Sequence, residues 1–180
     1  MLYSYQNLRN KYKYDKEIKK LLSNNEIFKV ERGIYSDSRN VNYLSIINFK
    51  YPNAIFTLDS AFYYHNLTDV IPQKNYLAIK RDSYRSSDSN IKFISYSSKY
   101  FDLGKSTIIV DGVEIKVYDK ERMLIELIRN RKSYGFDYYK EIINNYRALK
   151  DKLDIGKIME YISEFSLEEH LYDVIMKEVF

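Results

Sequence analysis

The stretch Asp15-Lys-Glu-Ile-Lys-Lys-Leu-Leu-Ser-Asn-Asn-Glu-Ile-Phe-Lys-Val-Glu-Arg-Gly-Ile-Tyr35 decides the fold of the N-terminal part, because its two halves carry different periods. Over residues 15–23, Ile18, Leu21 and Leu22 recur at helical spacing. That spacing predicts a helix with these side chains inward and Lys16, Lys19, Lys20 and Ser23 on the outer side. Asp15 is expected to cap its start, and Asn24-Asn25 to end it. Residues 26–35 alternate around Glu31-Arg32-Gly33, the pattern of a short hairpin with its glycine at the bend.

Upstream, Leu2, Tyr5, Leu8 and Tyr12 form one apolar stripe on a helix of about ten residues, followed by a turn at Lys13-Tyr14. Helix, turn, basic helix and basic hairpin make the outline of a small winged helix-turn-helix. Charge agrees with it. Residues 1–39 hold nine Lys and Arg against five Asp and Glu, and residues 40–180 hold twenty of each. The whole excess of +4 therefore lies in the first fifth of a 180-residue chain, as in a basic module ahead of a neutral domain. A helix fits the major groove, and lysines on it or on a wing release counterions from phosphates, while side chains reaching base edges read sequence. The candidates are Lys13, Lys16, Lys19, Lys20, Ser23 and Asn24 on and around the second helix, with Lys29 and Arg32 on the wing. Double-stranded DNA is the expected partner.

Composition bounds the rest. With 45% hydrophobic and 30% charged residues the chain reads as globular. The absence of cysteine excludes disulfides, thiolate metal sites and a cysteine nucleophile. The two histidines, His65 and His170, stand far apart, so neither a histidine-rich metal site nor a cofactor is expected. No apolar run approaches the ~18 residues of a membrane span, and the first residues do not resemble a signal peptide. A cytoplasmic protein with no membrane partner is the expectation. Twenty tyrosines and no tryptophan read as the composition of an AT-rich coding sequence rather than as base-stacking platforms.

Beyond Arg39 the periods predict a short helix over 41–49 and strands at 54–57, 76–79, 91–96, 106–110 and 113–118, the last two joined by a turn at Asp111-Gly112. Asp59 is expected to cap a helix over 60–64. Residues 81–90 read as an exposed polar loop, and Lys80, Arg81 and Arg85 around it are expected either to extend the DNA contact or simply to keep the loop solvated. The final third reads as helical, with caps at Asp119 and Asp137, an apolar stripe from Ile155 to Ile162, and a capping box at Ser166-Leu-Glu-Glu169. The predicted fold class is α+β: a winged helix-turn-helix at 1–39, then an α+β domain at 40–180 with a small, mostly antiparallel sheet and C-terminal helices.

On these segments the sequence resembles the AbiEi antitoxins of type IV toxin–antitoxin systems. The likeness runs through Phe28-Lys-Val-Glu-Arg-Gly-Ile-Tyr35, Tyr51-Pro-Asn-Ala54, Asp59-Ser-Ala61, His65-Asn-Leu-Thr-Asp69 and Pro72. It continues through Tyr118-Asp-Lys-Glu-Arg-Met-Leu-Ile-Glu-Leu-Ile-Arg129 and Phe136-Asp-Tyr-Tyr-Lys-Glu-Ile-Ile-Asn-Asn-Tyr146. The resemblance implies an N-terminal winged helix that binds repeats in its own promoter and represses its operon. It also implies a C-terminal domain that counteracts a nucleotidyltransferase toxin without stable direct binding, in bacterial abortive infection defence against phage. The brief N-terminal module departs from the family, with room for two helices before the wing rather than three. Ser60, His65, Glu121 and Arg122 fall at recognisable positions of the family's antitoxin domain. Read from the residues alone, Arg122 forms a structural ion pair with Glu126 and His65 is a satisfied turn histidine.

An enzyme reading is the alternative. Glu114-Ile-Lys116 on a strand, with Asp102 upstream and Asp111 nearer, has the acid, acid-x-lysine order of restriction-type nucleases, in which carboxylates hold Mg²⁺ and the lysine steadies the attacking water. The opposing reading is an ordinary amphipathic strand with Val113, Ile115 and Val117 inward.

Overall fold

In a computed structural model, which describes residues 1–83, 88–165 and 168–180, the chain forms two compact units, Met1–Pro52 and Asn53–Phe180. The first contains β1 (Leu2–Ser4), α1 (Tyr5–Lys11), α2 (Asp15–Ser23), β2 (Phe28–Glu31), β3 (Ile34–Ser36) and α3 (Tyr43–Lys50). The expected division after Arg39 is replaced by one after Pro52. α3 belongs to the first unit, where Lys50 Nζ lies 3.0 Å from Glu31 Oε2.

Leu2–Ser4 is a strand rather than the first turn of the helix. The Ser4 hydroxyl accepts the Asn7 N–H at 3.0 Å and Asn7 Oδ1 accepts the Ser4 N–H at 3.0 Å, a reciprocal cap that starts α1 at Tyr5. The residues before the cap pair antiparallel with β3, which also pairs with β2. Val30 is the extra residue where register shifts between Lys29 and Glu31, and Gly33 turns the chain back at φ +80°. Leu8, Ile18 and Ile27 are the buried centre, with Tyr3, Tyr12, Leu21, Leu22 and Tyr35 packed around them. Each fully buried aliphatic side chain contributes about 1.5–3 kcal/mol.

The second unit runs β4 (Ile55–Phe56), α4 (Leu58–Tyr64), β5 (Asn75–Lys80), β6 (Ile91–Tyr96), α5 (Ser98–Phe101), β7 (Lys105–Val110), β8 (Val113–Tyr118), α6 (Lys120–Arg129), α7 (Phe136–Ala148), α8 (Ile155–Ser163) and α9 (Glu168–Glu178). Its sheet has the order β6-β5-β4-β8-β7. It is mixed, not mostly antiparallel: β4–β5 and β7–β8 are antiparallel, while β4–β8 and β5–β6 are parallel. The β7–β8 hairpin turns at Asp111-Gly112, both with positive φ, as that dipeptide predicts.

α6 is the central helix, in contact with α4, α8 and α9 and buried from Glu121 to Ile128. Its apolar side chains Met123, Leu124 and Leu127 have no exposed surface. A helix buried on all sides must also satisfy its charges within the core. Asp119 caps it, accepting the Arg122 N–H at 2.8 Å. Asp59 and Asp137 do not cap. α4 begins after Thr57 and α7 after Gly135, so both carboxylates stand inside the first turn. The expected capping box at 166–169 and part of the 81–90 loop lie outside the described residues. Among the described residues, no helix is long and apolar enough to cross a membrane.

Candidate nucleic-acid interface

Lys16, Lys19, Lys20 and Ser23 share the exposed side of α2, as their spacing predicts, while Ile18 points into the core. With Tyr14 and Glu17 they line a surface depression of about 580 Å³. Asp15 is not the cap of this helix: Tyr14 holds that position without a side-chain bond. The Asp15 carboxylate accepts the Tyr5 hydroxyl at 2.7 Å and pairs with Arg9 Nη1 at 3.1 Å. Tyr5 is held above the usual phenol range, first by that hydrogen bond.

Most acids of the first unit are engaged in this way. Glu31 pairs with Lys50, Asp37 pairs with the Met1 ammonium, and Glu26 accepts from Asn24 Nδ2 at 3.0 Å. The ammonium holds Asp37 below the usual carboxylate range. Glu17 is the acid left among the lysines of α2. Lys13, Lys16, Lys19, Lys20, Lys29 and Arg32 are exposed and form no ion pair among the described residues. Arg32 stands at the hairpin turn and Lys29 on β2. Through Pro52 this unit holds ten Lys and Arg against five Asp and Glu, so it is +5 while the rest of the chain is −1.

Two candidate readers are partly committed. The Ser23 hydroxyl donates to the Lys20 carbonyl at 2.8 Å, and the Asn24 amide is held by Glu26. The sequence reading missed Arg9, which neutralises Asp15 from α1. The signal was there in the i,i+4 spacing of Tyr5 and Arg9 on one face of a helix.

In the second unit Arg81 is exposed, but Lys80 pairs with Asp102 at 3.3 Å and lies over the Phe101 ring. Arg85 lies outside the described residues. Ser60 is buried, and its hydroxyl oxygen accepts the Tyr76 N–H at 2.9 Å. His65 Nε2 lies 2.7 Å from the Tyr118 carbonyl, which requires the proton on that nitrogen. Burial lowers the His65 pKa, and the carbonyl bond opposes the shift. Glu121 Oε1 accepts the Asp154 N–H at 3.0 Å, tying α6 to the start of α8.

Arg122 has no exposed surface. Its Nη2 donates to Glu126 Oε1 at 2.6 Å, and its guanidinium lies 5.4, 5.2 and 4.8 Å from the ring centres of Tyr96, Tyr118 and Phe165. Nε and Nη1 have no acceptor among the described residues, so the rings are their surroundings. Tyr96 is pushed up to about 12, first by burial and then by Glu126. The arrangement is a core ion pair in an aromatic jacket.

Asp102 also pairs at 4.0 Å with Lys105. On β8, Glu114 stands opposite Ile109 and Lys116 opposite Thr107, while Ile115 and Val117, alternating with them, are buried. Among the described residues, no three acidic or histidine side chains are grouped to hold a metal ion. No protein-family model matches this chain, and no curated protein matches it.

Proposed function

We propose that this chain is a type IV antitoxin of the AbiEi kind. In this reading the first unit is a winged helix-turn-helix that binds repeats in the promoter of its own operon and represses it. The second unit counteracts a nucleotidyltransferase toxin from the same operon without a stable complex. The observation that carries the DNA half is the lysine face of α2. Lys16, Lys19 and Lys20 stand exposed on one side with no ion pair among the described residues, next to a hairpin bearing Lys29 and Arg32, in a unit whose acids other than Glu17 are engaged. An α-helix with its side chains is about 10–12 Å across, which fits a major groove about 12 Å wide. The antitoxin half is supported by the order of sequence motifs from the hairpin to α7.

The test has two arms. The full-length protein should shift a fragment of its own promoter, and Lys16→Glu, Lys19→Glu, Lys20→Glu together should abolish the shift while the fold persists. Co-expression with the neighbouring nucleotidyltransferase should restore growth. Retained binding in the folded triple variant removes α2 as the DNA-facing helix, and failure of the full-length protein to protect removes the antitoxin assignment.

A further inference from the structure

A cavity of about 330 Å³ opens in the second unit between the start of α4, the approach to β5 and the first turn of α7. Asp59, Val70, Ile71, Tyr76, Tyr134 and Tyr138 line it. Tyr138 donates its hydroxyl to Asp59 Oδ1 at 3.0 Å, and Tyr76 lines the same cavity. Tyr76 is pushed up to about 12, and Tyr134 and Tyr138 are raised as well, by burial first and then by Asp59. The phenols therefore keep their protons, and Asp59 is the one ionisable carboxyl among the described lining residues. None of those residues is a lysine or arginine. Lys92 lies over the Tyr76 ring at 4.9 Å, and Tyr134 and Tyr138, with ring centres 5.7 Å apart, form the remaining aromatic walls, the Tyr134 ring also meeting Phe62 edge-on at 6.1 Å. At the rim Val70 and Ile71 are 52% and 72% exposed.

A carboxylate offers acceptor lone pairs to an ammonium or guanidinium, and aromatic faces attract cations through their quadrupole. An apolar rim suits an alkyl stem. We propose that this cavity binds an organic cation, an ammonium or guanidinium on an alkyl chain, with Asp59 as counter-charge and Tyr134 and Tyr138 as walls. The cation belongs to a free amine or to a lysine or arginine side chain of a partner protein. The site is independent of the DNA and antitoxin assignments.

Titration of the full chain with n-butylguanidinium, its neutral isostere n-butylurea and Nα-acetylargininamide, followed by calorimetry and NMR, tests it. The cation should bind about tenfold more tightly than the urea or better, and Asp59→Asn should erase that preference. Tyr138→Ala removes one aromatic wall and keeps the carboxylate, so it should weaken butylguanidinium binding by about threefold or more; undiminished binding in the folded variant overturns the site, and this decides the matter if Asp59→Asn fails to fold. Binding of the blocked arginine alongside butylguanidinium fits a partner's side chain, and binding of butylguanidinium alone fits a free amine. Equal affinity for cation and urea, no binding at millimolar concentration, or an undiminished preference in folded Asp59→Asn overturns the site.

Discussion

Arg9 Nη1 lies 3.1 Å from Asp15 Oδ1, the oxygen that also accepts the Tyr5 hydroxyl. One residue of α1 thereby cancels the acid at the head of the lysine helix. Arg9→Ala leaves Asp15 uncompensated beside Lys16 and Lys19 while the core of Leu8, Ile18 and Ile27 is untouched. Promoter affinity at low salt should fall by roughly three- to tenfold, with the circular dichroism spectrum unchanged, and the loss should shrink as salt rises.

The Arg122–Glu126 pair is fully internal, and without Arg122 the Glu126 carboxylate keeps, among the described residues, only Arg129 Nη1 at 3.5 Å and Asn130 Nδ2 at 3.2 Å. Arg122→Ala should cost about 3–5 kcal/mol in chemical denaturation, because Glu126 stays buried. The double variant Arg122→Met, Glu126→Leu should recover most of that loss.

Two glycines separate backbone strain from crowding. Both Gly33 and Gly104 have positive φ, but a side-chain carbon at Gly33 meets nothing within 4 Å, whereas at Gly104 it falls 2.5 Å from Arg122 Cβ. Gly33→Ala should cost about 1–2 kcal/mol, and Gly104→Ala about 2–4 kcal/mol, read from urea midpoints at constant slope.

His65 makes acid stability sensitive to one side chain. Its folded pKa lies below the unfolded value of about 6.5, so near neutrality and above both states are neutral and stability is complete. As pH falls through 6.5 toward the folded value, the unfolded chain takes up the proton first and stability declines. Melting temperatures from pH 8 to 5 should show this fall, and His65→Gln should flatten the part that belongs to this residue.

What was legible in the sequence follows the range of the interactions. The β7–β8 hairpin announces itself through Asp111-Gly112, and the faces of α2 and α6 through Ile18 and Leu124 at helical spacing. β1 was hidden because Leu2 and Tyr5 also fit a helical stripe, and only pairing with β3 decides between the two. Parallel pairing of β4 with β8 joins Phe56 to Val117, far beyond any local period. Asp119 and Asp154 cap as expected of aspartate, but Asp15 and Asp59 spend their carboxylates on tyrosine hydroxyls from other elements. Of the DNA candidates, Lys16, Lys19 and Lys20 fall together as their spacing requires, while Lys80 is drawn to Asp102. Composition accounts for the number of tyrosines but not for the placement of Tyr76, Tyr134 and Tyr138, which line one cavity with Asp59.

The decisive measurement is the salt dependence of promoter binding by the wild type and by Lys16→Ala, Lys19→Ala, Lys20→Ala. Each phosphate neutralised contributes about −0.9 to the slope of log K against log salt concentration. If α2 faces DNA, the folded triple variant loses about two to three units of slope together with its affinity. An unchanged slope and affinity in the folded variant would contradict that placement.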